Sequence, residues 1–400
     1  MGTRSGAEGV SQVKVLPSEV STTIWSPADV ARIDAARASA IPLIGRADVR
    51  DLLPRVDLWD MWPVQLVDGA TARFDGWTLW LVLSAPRAPD PESRHQCARI
   101  RLMSQKGAEW RDCGLLLPDD ANPGSREWAG SALYDPAAQR LTLFYTAAGF
   151  RGETRTTVAQ RLFQMWATLS VRDGVARASD WCGPTETIKN DGRHYEIVGA
   201  VEGAPGAIKG FRDPAHFRDP VTGHDYLYFT GSLAGSSSDW NGVIGVARST
   251  TGRHDGWELL PPVLSADGLN NELERPIMMA RDGHYYLFWS TQRKVFAAGG
   301  PSGPNGLYGA VGPSALGPFT PLNGTGLVAA NPAEAPFQSY SWWVTQDLTV
   351  HGFADLVGVP SAADIQDDPA WRRAHFAGGP APAFRLLLDG DRATVRAEAE

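Results

Sequence analysis

Along this chain the apolar positions fall in short runs broken by Gly, Pro and Asp, and from Val56 onward no helical period is present. Gly76-Trp77-Thr78-Leu79-Trp80-Leu81-Val82-Leu83 is one such run and Leu141-Thr142-Leu143-Phe144-Tyr145-Thr146 is another, both reading as buried strands. A unit then repeats. Ser131-Ala132-Leu133-Tyr134-Asp135-Pro136 leads to Leu143-Phe144-Tyr145-Thr146, and Ala215-His216-Phe217-Arg218-Asp219-Pro220 leads to Leu227-Tyr228-Phe229-Thr230. Ile277-Met278-Met279-Ala280-Arg281-Asp282-Gly283 leads to Tyr286-Leu287-Phe288-Trp289-Ser290. Each is a strand, an Asp-Pro or Asp-Gly turn and an aromatic strand, hence a hairpin. Recurrence at roughly 60–85 residues suits four-stranded propeller blades with long loops, and a β-sandwich with insertions is the alternative. Phe384 to Asp391 adds a last Asp-Gly hairpin.

Before Val56 the pattern differs. Residues 1 to about 20 read as a loose polar tail, and Ser26-Pro27-Ala28-Asp29 supplies an N-cap, a first-turn proline and a first-turn acid for a short peripheral helix with Val30 and Ile33 on one face. The organisation expected is therefore a tail and helix over residues 1–50 and one all-β domain over residues 51–400, because no Pro/Ser linker divides the latter.

Composition narrows the partners. A chain with 43% apolar and 20% charged residues buries a sizeable core, and a net charge of −8 with no long basic run excludes nucleic acid and anionic membrane as natural partners. Fifteen tryptophans serve either sugar stacking or large β cores. Cys97, Cys113 and Cys182 lie far apart without metal spacing and are expected as free thiols. Met1 to Val15 lacks the pattern of an export signal, so the expected location is the cytoplasm, or outside the cell after removal of a signal. The eight histidines are scattered, with no His-Glu-x-x-His and no phosphate-binding glycine loop; no cofactor and no metal is expected. The sequence leaves oligomeric state open.

Candidate chemistry begins with Trp59-Asp60-Met61-Trp62-Pro63. Indoles lower the local dielectric and favour a neutral carboxyl, so an ionised Asp60 requires donors or a cation. Asp57 or Asp60 capping a turn ahead of Pro63, with the tryptophans in the core, is the plainer account. In Phe211-Arg212-Asp213-Pro214 an arginine sits beside an acid; in Asn270-Asn271-Glu272-Leu273-Glu274-Arg275-Pro276 a pleated strand puts both glutamates on one face and Arg275 on the other. Like charges so placed raise the proton affinity of one carboxyl, as a general acid near neutral pH needs, without choosing between the two. Singly these are ordinary ion pairs or a solvated edge. Together, Asp60, Asp213 and Glu274 each lie on the entry strand of a separate repeat, and three acids meeting in an aromatic pocket fit glycoside cleavage.

With those motifs, and with Glu127-Trp128-Ala129-Gly130-Ser131-Ala132, Tyr340-Ser341, Gly303 to Gly309 and Pro321 to Leu327 in the same order, residues 56 to 350 resemble glycoside hydrolase family 68, the levansucrases, inulosucrases and related β-fructofuranosidases. The resemblance implies a five-bladed β-propeller that cleaves sucrose with retention. It implies Asp60 as nucleophile, Glu274 as acid/base and Asp213 as transition-state stabiliser, with Trp59, Trp128, Arg212, Glu272, Arg275 and Tyr340 lining the sugar sites and sugars as partners. Four departures from the family pattern stand out. Ala129 replaces a serine whose hydroxyl would bond the nucleophile, so Asp60 needs other donors. Gln292, beside Arg293, occupies a place where Arg or His holds the leaving glucose or the acceptor. Trp342 and Trp343 narrow the acceptor side unless one belongs to the core, and Asn271 replaces the acid associated with calcium. These favour hydrolysis and short-oligosaccharide transfer over long levan. A non-catalytic carbohydrate-binding propeller and an inverting glycosidase are the alternatives; a retaining carboxyl pair sits about 5–5.5 Å apart and an inverting pair about 6.5–9.5 Å.

Overall fold

In the computed structural model the described residues are 19–34, 39–199, 208–252 and 254–396. The expected tail lies almost wholly outside them. The chain is all-β, as its pattern predicts, and among the described residues no helix is long and apolar enough to cross a membrane.

Antiparallel ladders follow one another along the sequence. The first runs through Val56–Gln65, Trp77–Pro86, Arg99–Lys106 and Glu109–Leu115, the second through Arg126–Asp135, Arg140–Ala148, Gln160–Arg172 and Val175–Ile188. A short parallel pairing of Val64 with Ala132 fuses these two into one sheet. Then come Phe211–Arg218 to Trp257–Ser265, Glu274–Arg281 to Leu327–Ala330, and Ser339–Val344 to Arg392–Val395. The leading strands pack in sequence: Val56–Gln65 on Arg126–Asp135, that on Phe211–Arg218, then Glu274–Arg281, then Ser339–Val344, which returns to Val56–Gln65.

The hairpins read from the sequence are present, pairing Ala132 with Leu143, His216 with Leu227, Met278 with Leu287, and Leu388 with Ala393. At the tightest of them Arg281 pairs with His284 across Asp282 and Gly283, at φ 50° and 76°, the left-handed pair a two-residue turn requires. Asp135 closes its turn by accepting the Ala137 N–H at 3.0 Å. The three cysteines are free thiols.

The helix is the expected Pro27–Val30, closed by a capping box in which Ser26 N–H donates to Asp29 Oδ2 at 2.8 Å. Its neighbour Trp25 anchors the segment. That indole is fully buried 5.3 Å from Trp289 and 5.2 Å from Tyr308 and donates to the Thr325 carbonyl at 2.9 Å, while Thr23–Ile24 adds a parallel strand beside Leu264 and Ser265. The N-terminal segment is therefore part of the core.

Candidate active site

All five leading strands break register near their first residues. The slips fall between Trp59 and Met61, Trp128 and Gly130, Arg212 and Ala215, Glu274 and Ile277, and Tyr340 and Trp343. A bulge re-aims side chains that a regular pleat would alternate. In three strands its backbone enters the left-handed region at a non-glycine residue: Asp213 at φ 61°, Arg275 at 51° and Ser341 at 60°. Pro214 and Pro276 follow two of these and have no N–H to give a ladder, which suits the break.

The bulges turn these residues toward one cavity of about 630 Å³, walled by Trp59, Asp60, Glu274, Arg275, Gln292 and Tyr340 among others. Asp213, Arg212 and Glu272 are buried beside that wall. Arg212 Nη2 bridges Glu274 Oε1 at 3.0 Å and Glu272 Oε1 at 3.3 Å, and its Nε lies 3.7 Å from Asp213 Oδ2. Tyr340 donates its hydroxyl to Glu274 Oε2, and Gln292 reaches the same hydroxyl. Thr230 Oγ1 donates to Asp213 Oδ2 at 3.1 Å. Arg275 lies between the tryptophans: its guanidinium carbon is 5.6 Å from both the Trp62 and Trp343 rings, and it donates to the Met61 carbonyl at 2.6 Å and to the Ser341 carbonyl and hydroxyl at 2.9 and 2.7 Å.

Asp213, Glu272 and Glu274 share the one Arg212 guanidinium, while Arg275 and Arg94 act on Asp60 only through space. Burial raises the proton affinity of Asp60, opposed by the Arg275 charge and the Ser341 hydroxyl. Burial pushes Asp213 up to about 6 against Arg212, and Glu272 up to about 7, the Glu274 charge adding to burial. The donor that Asp60 needed without a serine at 129 comes from the fifth ladder, as the Ser341 hydroxyl, and the Arg275 charge acts on it through space. Ser341 Oγ accepts from Arg275 Nη1, which leaves its own proton for the Asp60 carboxylate.

Three expectations are corrected. Glu272 and Glu274 do meet at one guanidinium, but through a bulge: regular structure begins only at Glu274, and Arg275 points elsewhere because of its positive φ. Trp342 and Trp343 are both buried in the core at 1% and 2% exposure and do not narrow the cavity. Neither Asp57 nor Asp60 caps a turn, since both lie within the strand Val56–Gln65. Trp128 is half-buried outside the cavity wall, and its indole N–H, like Arg212 Nη1, has no partner among the described residues. Two cavity residues carry no mark in the sequence pattern: Arg94, buried 5.7 Å from the Trp59 ring, and Asp355, pushed up to about 6 by burial.

The model of the levansucrase/invertase family of glycoside hydrolases matches residues 16–241 and 236–400. Levansucrase LscB of Pseudomonas savastanoi pv. glycinea is 30% identical over 442 residues, covering 100% of this chain and 96% of its own. The levansucrase of Rahnella aquatilis is 30% identical over 93% of this chain and 94% of its own. An inulosucrase of Halalkalicoccus jeotgali, solved bound to kestose, superposes with a TM-score of 0.85 at 36% identity, covering 94% of this chain and 95% of its own.

Proposed function

The chain belongs to the levansucrase/invertase family, glycoside hydrolase family 68, and from that premise we propose that it is a sucrose-cleaving fructosyltransferase working with retention through a fructosyl-enzyme. The observation that carries the reading is that Asp60 and Glu274, distant in sequence, wall one cavity with Asp213 beside them. The Asp60 carboxylate attacks the anomeric carbon of the fructosyl unit as the glycosidic C–O bond breaks. The departing glucosyl oxygen takes its proton from Glu274, which Arg212 and Tyr340 orient. Glu274 then removes a proton from water or a sugar hydroxyl as that oxygen displaces Asp60. Ionised Asp213, steadied by Thr230 and the Arg275 amide, faces the positive charge that develops on the ring.

Trp59 supplies the apolar wall, and Arg212, Trp128, Glu272, Arg275 and Gln292 hold sugar hydroxyls. The unpartnered Nη1 of Arg212, buried beside the cavity wall, supports its part in that assignment. The cyclic packing of five leading strands supports a five-bladed propeller over residues 51–400, with residues 1–50 as an extension docked through Trp25. Short oligosaccharides are the expected products, because neutral Gln292 grips an acceptor less firmly than a cation would; the kestose held by the inulosucrase relative is of that size class.

Glucose and fructose released from concentrated sucrose, measured separately, test this. Glucose in excess of fructose, with the deficit found in short oligosaccharides, is the expected result. An absence of sucrose cleavage would leave a sugar-binding module, and abundant high-mass polymer would refute the product assignment.

A further inference from the structure

Three residues beyond Asp213, on the same strand, a second cluster forms from side chains with ligand character. His216 Nε2 lies 2.9 Å from Asp225 Oδ1, His254 Nε2 lies 3.6 Å from that oxygen, and the three ligand atoms are all within 4.8 Å of one another. The hairpin brings the first two together, since Asp225 pairs with Arg218 across the turn. His254 arrives from the connection between the strands Gly242–Ser249 and Trp257–Ser265, held at φ 62° with its carbonyl accepting the Trp257 indole N–H at 3.3 Å. Phe144 walls the cluster, stacked on His216 at 6.0 Å and edge-on to His254 at 6.2 Å.

Burial pushes His216 down to about 4, so its imidazole is neutral at physiological pH. Burial opposes ionisation of Asp225, but hydrogen bonds from His216 and Arg218 help to outweigh it and hold the carboxyl below the usual range. His254 Nε2 is buried with no hydrogen-bond partner, an orphan in a fold that satisfies most such atoms. We propose that His216, Asp225 and His254 bind a divalent first-row transition ion, with Zn²⁺ the best match to two imidazoles and a carboxylate and one coordination position left for water.

Bonds of about 2.0–2.2 Å in a tetrahedron place ligand atoms about 3.3 Å apart, and the separations of 2.9 and 3.6 Å straddle that value. Arg218 sets the affinity. Its Nη2 donates to Asp225 Oδ2 at 2.6 Å and can orient the carboxylate from outside the metal shell, but its Nε shares Oδ1 at 2.9 Å and must yield. As the ion enters, His216 gives up its Nε2 proton and takes one at Nδ1, so the neutral ring changes tautomer and Nε2 offers its lone pair to the metal. An ion here ties the connection carrying His254 to the hairpin about 10 Å along the strand from Asp213; it stabilises that ladder and takes no part in bond cleavage.

Metal-stripped enzyme titrated with Zn²⁺ by calorimetry should bind one ion per chain, at least about tenfold more weakly in His254→Ala. Zn²⁺ should raise the thermal midpoint of the parent protein and not of the variant, with sucrose cleavage by metal-free enzyme unchanged by the substitution. Co²⁺ should give the intense visible absorption of a tetrahedral site. No saturable binding, or binding that His254→Ala leaves unaltered, overturns the proposal in favour of a metal-free hydrogen-bonded cluster.

Discussion

Asp57 and Asp60 leave one strand three residues apart and meet opposite surroundings. Asp57, 1% exposed, is clamped by Arg373 from the helix Pro369–His375 at 2.8 and 2.6 Å, with Arg87 Nε at 3.3 Å. Asp60 faces a cavity near Arg275, whose guanidinium hydrogen bonds go instead to Met61 and Ser341. The same contrast separates the rim from the centre. At the rim Arg372 pairs with Asp90 at 2.6 Å and Asp367 at 2.7 Å, whereas in the centre three carboxyls divide the Arg212 guanidinium. A carboxylate whose lone pairs are taken is a fastener. One left short of partners in low dielectric keeps the reactivity that attack on carbon needs, at a cost in stability.

The largest effects should come from exchanging these two acids' fates. Asp60→Asn should lower glucose release at least about 10⁴-fold with unchanged thermal unfolding. Asp57→Asn should leave turnover of the folded enzyme nearly intact while denaturant titration shows about 2–4 kcal/mol lost, because Arg373 and Arg87 lose their counter-charge. Equal behaviour of the two variants would erase the distinction.

A second test sharpens it through pH. Asp213 is raised to about 6 by burial, above an unfolded value of about 3.9, so its stabilising contribution is fully present below about pH 4 and lost as pH rises through 6. Asp213→Asn should abolish turnover, yet should reduce by about 2 kcal/mol the stability that the parent protein loses between pH 4 and 7. An unaltered pH slope would mean that Asp213 is as well satisfied as Asp57.

The smallest effect concerns the stand-in donor. Ser341→Ala removes the hydroxyl that relays Arg275 to Asp60 and should lower kcat about tenfold with KM little changed. Restoring a hydroxyl at Ala129 in that background should recover part of the loss if both positions serve the same carboxylate.

Local grammar made much of this readable. Asp-Gly and Asp-Pro turns between apolar runs fixed the hairpins, and three acids flanked by Trp, Arg and Pro marked the centre. What failed to read depended on register and closure. Trp342 and Trp343 follow Tyr340-Ser341, but the slip between Tyr340 and Trp343 accompanies both indoles turning inward. Arg94 and Asp355 belong to the site because the last ladder packs back on the first, a contact between segments more than 250 residues apart. Likewise His216 and His254 looked scattered along the chain until a hairpin and a left-handed residue placed them on one carboxylate.

Short-range chemistry therefore determined that the chain is all-β, where its hairpins turn, and which acids were candidates for reaction, because turn preference, alternation and neighbouring charge act over a few residues. Tertiary structure alone decided which carboxyl would be clamped and which left exposed to a cavity. The energy of a buried charge depends on every dipole and cation around it, and those reach Asp57 and Asp60 from distant and different segments of the polypeptide.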